Sequence, residues 1–150
     1  MQGNFLARFM NLLIFVFIGV MTVVLTALPF LVDEYVKFVG NQVLNIFWLK
    51  VFLYFTAIPF IVLLVKAKKL CKNILRAEPF CQSSIAALNV ISISAFIDFL
   101  FYAIGTITIF KNLLSLTLMV AAFMVGLVSL ILSQLVRAAL EIKQENDLTI

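Results

Sequence analysis

The chain has 150 residues, of which 65% are apolar and 12% charged, with sixteen Phe, no His and a formal charge of +4. A soluble domain is roughly 45–50% apolar and about 25% charged, and a chain this short has too little interior to hide so much apolar surface. The composition excludes a water-soluble globule and makes lipid the solvent.

The first apolar run follows Arg8 and covers residues 9–32. Crossing a bilayer takes roughly 20 residues at about 1.5 Å each, so this run is a span. A cleaved signal peptide has a shorter apolar region, about 7–15 residues, followed by a small-x-small site. This run ends instead in TALPFLVDE, and it is expected to be retained. Asp33, Glu34, Tyr35 and Lys37 form a polar boundary beyond it. The second run, 46–65, starts at a similar boundary, with Phe47, Trp48, Lys50 and Tyr54. Trp and Tyr favour the headgroup zone, and Lys50 can snorkel outward on its methylene stem. Pro59 removes a backbone donor and predicts a kink, a common feature of helices in lipid.

Residues 66–84 read KAKKLCKNILRAEPFCQSS. As the flank of two membrane helices, this basic stretch is ordinary. A sharper reading continues the helix, with Leu70, Ile74 and Leu75 on one face and Lys68, Lys69, Lys72 and Arg76 around the rest. Such a helix would rest on anionic lipid or receive an acidic partner. Cys71 and Cys81, ten apart in a chain without His, make no zinc site. In the cytoplasm they stay reduced, and Cys71 beside Lys72 is placed for reversible palmitoylation; plain unmodified thiols are the simpler reading.

The third and fourth runs, 85–109 and 113–136, lie so close that only a tight turn near 108–114 can join them as an antiparallel hairpin. All four runs are continuously apolar, which excludes the alternating segments of a β-barrel. The third contains Asp98, in SAFIDFLFYAIG. An Asp near the membrane centre costs roughly 2.5–3.5 kcal/mol on insertion scales. Ala87, Ile91, Ser94, Ala95, Asp98, Tyr102 and Gly105 share one helix face at steps of three and four. Two readings stand for Asp98 and Tyr102: a hydrogen-bonded structural acid, or a site of ion conduction or sensing. In the fourth run, Ala122, Gly126, Ser129 and Ser133 form a small-residue stripe. Such stripes let helices approach closely in lipid, so the third and fourth helices are expected to pack stripe against stripe. Asn89, on the opposite side of its helix from Asp98, would serve another contact.

Beyond the membrane, Leu132, Leu135, Ala139 and Ile142 continue an apolar face, and Arg137 and Glu141 stand four apart. Asn146 and Asp147 are stop residues, predicting that Leu148, Thr149 and Ile150 project beyond the helix. With four crossings, Arg8, the five basic residues of 66–84, Arg137 and Lys143 share one side, against Lys37, Lys50 and Lys111 on the other. This asymmetry places both termini in the cytoplasm.

The chemistry of catalysis is missing. No Ser-His-Asp or Cys-His arrangement can form without His, and the five Gly are scattered rather than grouped in a phosphate loop. No metal or cofactor is expected. Nucleic acid is excluded as a direct ligand, since no recognition motif and no separate soluble domain is present.

Two stretches resemble a known family. QENDLTI at the C-terminus and AEPFCQSSIAALNVI before the third span are similar to the corresponding parts of the small bacterial membrane proteins called domain of unknown function 2975. The specific words are Pro79-Phe80 and residues 145–150. Members of that family tend to carry Ser or Thr after Pro-Phe, and Glu-Asn shortly beyond, as a helix cap; here Cys81, Gln82, Ser83 and Ser84 stand there, leaving Ser83 or Ser84 to cap one or two residues later. Genes of the family often adjoin those of helix-turn-helix regulators. The resemblance therefore implies a membrane protein that binds and restrains a DNA-binding partner.

The expected fold is all-α, an integral membrane four-helix bundle in one domain, residues 1–150, with a cytoplasmic loop 66–84 and tail 137–150. The expected setting is the bacterial cytoplasmic membrane, and membrane lipids are its solvent. The expected function is non-enzymatic and regulatory, with Lys68, Lys69, Lys72, Arg76, Glu145, Asn146, Asp147, Leu148 and Ile150 receiving a cytoplasmic protein. The alternatives are a small oligomeric transporter or channel subunit using Asp98, and a lipid-binding structural protein.

Overall fold

A computed structural model describes residues 2–39, 46–110 and 113–148. Lys111, Thr149 and Ile150 lie outside the described residues, as does the predicted non-cytoplasmic stretch 40–45. The elements are α1 (Gln2–Val39), α2 (Ile46–Leu75), α3 (Gln82–Gly105), a π-helical turn (Thr106–Phe110) and α4 (Leu113–Leu148). Among the described residues, four helices are long and apolar enough to cross a membrane. Large apolar side chains cover their outer surface, among them Phe9, Phe15, Phe30, Phe55, Leu100, Met124 and Ile131. In water this surface would drive aggregation; in lipid it is the solvated face.

Among the described residues, each of the four long helices packs on its neighbour in the chain, and no other pair of the four shares more than a marginal contact. The pairs run antiparallel. Lys50 reaches Asp33 at 2.8 Å, the Tyr54 hydroxyl donates to the Leu25 carbonyl at 3.1 Å, and Lys68 lies over the Phe15 ring at 5.1 Å, which aligns α1 with α2. Leu28, Val32 and Leu49 bury a small cluster in this seam, backed by Leu25, Val36 and Leu53. The ends of α2 and α3 meet where the Asn73 amide donates to Ser84 Oγ at 3.0 Å. The α3–α4 seam is the most extensive, with Ser92 Oγ donating to the Gly126 carbonyl at 2.9 Å and Ser133 Oγ to Asn89 Oδ1 at 2.5 Å.

The small-residue stripe of α4 is buried at Gly126, Ser129 and Ser133, and Gly126 and Ser133 bond to α3. The partner face on α3 is not the expected one. Asn89, Ser92, Phe96 and Phe99 meet α4, the two rings closing on Phe123 at 5.9 and 5.3 Å. The stripe through Asp98 turns instead to α2, where Tyr102 and Gly105 pack on Phe52. A helix held between two neighbours buries two faces, and α3 carries a small, polar face for each.

The turn between α2 and α3 is short. Glu78 N–H donates to the Asn73 carbonyl and Ala77 N–H to the Ile74 carbonyl, with Ala77 at φ 59°. This is a Schellman stop, built here on Ala where Gly is usual, and Pro79 follows it. Cys81, rather than Ser83 or Ser84, holds the N-cap position of α3, and its side chain makes no capping bond. Ser84 is inside the helix, fully buried, and occupied by Asn73.

Candidate functional site

At the end of the bundle that carries both termini, α2 runs on to Leu75 and α4 to Leu148. If the membrane part of α4 ends near residue 136, the rest projects about 18 Å at the usual rise. The Schellman stop folds the chain back beneath this projection. The result is an open cavity of about 810 Å³ lined by Glu78, Phe80, Cys81, Gln82, Arg137, Leu140, Glu141, Lys143 and Gln144. Its wall mixes both charges with two apolar surfaces: the half-exposed Phe80 ring and, on α4, Leu140. A cavity of mixed sign with apolar anchors is suited to a polypeptide segment rather than to a simple ion.

The residues nominated from sequence surround this cavity rather than line it. Lys68, Lys69, Lys72 and Arg76 occupy the last turns of α2 and the turn after it. Lys68 is held over Phe15, while Lys69, Lys72 and Arg76 are exposed. Glu145, Asn146, Asp147 and Leu148 are helical, so Asn146 and Asp147 do not end α4 as expected. Stop propensities are weak priors that a long, cooperative helix overrides. Leu148 is 86% exposed on the last turn; Ile150 lies outside the described residues. Sequence reading missed Phe80, Cys81, Arg137, Leu140 and Glu141 as one group. The available signal was Pro79, which cannot continue α2 and marks a helix end just before Phe80.

A second polar locus lies inside the bundle. Asp98 is 5% exposed and its Oδ1 has no hydrogen-bond partner among the described residues. Tyr102, one turn along the same face, meets the Thr56 hydroxyl on α2 and stacks edge-on against Phe52 at 6.4 Å. Pro59, also buried, supplies no N–H to the carbonyl one turn before it in α2.

A family model described as "Protein of unknown function (DUF2975)" matches residues 32–150. The chain belongs to this family. It is also similar to the protein named "Uncharacterized membrane protein YoaS" of Bacillus subtilis (strain 168), at 30% identity over 135 residues, covering 81% of this chain and 84% of that protein. No solved structure matches. The resemblance carried by Pro79-Phe80 and the C-terminal word is thereby borne out, and this DUF2975 member is a multi-pass membrane protein. The match begins near the end of α1 and takes in α2, α3 and α4 whole. Every residue of the 810 Å³ cavity, Glu78 through Gln144, falls inside it.

Proposed function

We propose that this protein is a non-enzymatic regulator of the bacterial cytoplasmic membrane that holds a soluble protein at its basic end. In this reading both termini face the cytoplasm, consistent with the excess of Lys and Arg at that end. The observation that carries the proposal is the 810 Å³ cavity between the α2–α3 turn and the α4 extension. It offers Phe80 and Leu140 as anchors and Arg137, Glu141 and Lys143 as orienting charges, with Lys69, Lys72 and Arg76 steering an acidic surface toward it. The family resemblance points to a helix-turn-helix regulator as the captured protein, with membrane attachment keeping it from DNA.

The test is affinity capture of the full chain from membranes in mild detergent, with transcript levels read in parallel. Wild type should retain a DNA-binding protein, and the double variant Phe80→Glu, Leu140→Glu should lose it at unchanged helix content, with the partner's transcripts shifting in the same direction as on gene deletion. Equal capture by both proteins, or no DNA-binding protein in either, counts against the reading. Orientation has its own check. Reporters fused at either terminus should be active in the cytoplasm, and a tag inserted at residue 40 should be labelled in intact cells. Labelling only after lysis would reject the four-crossing map.

A further inference from the structure

The other end of the bundle holds a second cavity, about 480 Å³ and open on one side, between α1 and α4. Its wall is almost wholly apolar, with Leu28, Leu31, Leu53 and Leu118 prominent, and its aromatic members are Tyr35, Phe52 and Tyr102. Along α1 it extends from Val24 to Tyr35, roughly 16 Å at the helical rise and about half of a 30 Å hydrocarbon core. The volume is that of a small-molecule site.

What distinguishes this cavity from a lipid-filled crevice is the carboxyl behind its wall. Tyr102 belongs to the wall, and Asp98 lies one turn deeper on the same face of α3, nine-tenths buried, with Oδ1 unpartnered. The described basic side chains at this end are already engaged: Lys37 with Glu34 and Lys50 with Asp33, each at 2.8 Å. The carboxyl therefore has no counter-cation from the described chain. A cation in the cavity would favour the ionised form of this carboxyl, and in a poorly polarisable surrounding the attraction reaches much further than in water.

We propose that this cavity binds a lipophilic organic cation, its apolar body among the leucines and its charge drawn to the Tyr102–Asp98 side. The site is independent of the partner cavity at the other end. Entry is from the lipid of one leaflet, where amphiphilic amines concentrate.

The test uses the purified full chain in mild detergent and two fluorescent probes. One is ethidium, a permanent aromatic cation followed by anisotropy; the other is N-phenyl-1-naphthylamine, uncharged and followed by emission. Wild type should show a single saturable ethidium site. Asp98→Asn should weaken ethidium about tenfold or more, the scale of one charged contact away from water, and leave the neutral probe unchanged. Leu118→Trp, which fills the cavity from α4 without touching the charge, should remove both. Equal ethidium affinity in wild type and Asp98→Asn overturns the proposal. Neutral-probe binding alone overturns it too and identifies a slot for acyl chains. The wild-type and Leu118→Trp pair decides even where Asp98→Asn does not fold: without a saturable ethidium site sensitive to Leu118→Trp, the proposal falls.

Discussion

Gly126→Leu is expected to cost about 3 kcal/mol or more of stability, at the upper end of overpacking penalties. A Cβ at this position would already stand 3.1 Å from two carbons of the Phe96 ring. That ring cannot retreat freely, because it is stacked edge-on against Phe123 at 5.9 Å. The Gly126 carbonyl also accepts the Ser92 hydroxyl, so pushing the helices apart breaks a buried bond in the same move. Gly126→Ala should cost about 1 kcal/mol, since the contact is tight but short. Val125→Leu, one residue away on the exposed side, should be neutral. Thermal unfolding in detergent, followed by helix content, measures all three. A Gly126→Leu protein as stable as wild type would mean that the α3–α4 seam is not packed as described.

Asp98→Leu should have the opposite sign and raise stability by about 1–3 kcal/mol. Burying an unsatisfied polar atom costs about that much, and insertion scales place Asp roughly 3 kcal/mol above Leu at the centre of a span. Removing Asp98 Oδ1 breaks no hydrogen bond, because it has no partner among the described residues. Destabilisation instead would show that the carboxyl holds the α2–α3 seam together. A residue whose removal stabilises the fold is one retained for something other than folding, and this links the experiment to the cation site.

The sequence made parts of this picture legible for definite reasons. Lipid leaves long apolar runs as its signature, so the existence and order of the four helices were readable, while α1, α2 and α4 run seven to twelve residues past the apolar runs at four of the eight ends. Periodicity showed that the Asp98 face and the Gly126 face are buried. It did not show against what. A three-to-four spacing reports that a neighbour exists, and α3 has two neighbours, so the pairing of Asp98's stripe with α4 was a guess between faces of similar composition. Asn89 was the cue to the other answer: a polar side chain on the supposed outer face of a membrane helix needs a partner, and Ser133 provides it. The partner cavity was half visible. Sequence indicated the basic stretch and the tail, but Phe80 and Leu140 come to line one cavity through the Schellman stop at Ala77, and nothing in local propensity favours Ala with positive φ.

The neighbour-on-neighbour packing of α1 to α4 has a consequence for biogenesis. Helices leave the insertion machinery in chain order, and here each one finds its binding surface in the helix released just before it. No span has to wait for a distant partner, so loop closure adds little to the assembly barrier. The Asn89 and Ser92 side chains are the exception, facing lipid unpaired until α4 arrives. Stalled chains ending after α2 should already hold a stable hairpin, whereas chains ending after α3 should be the species that quality-control proteases recognise.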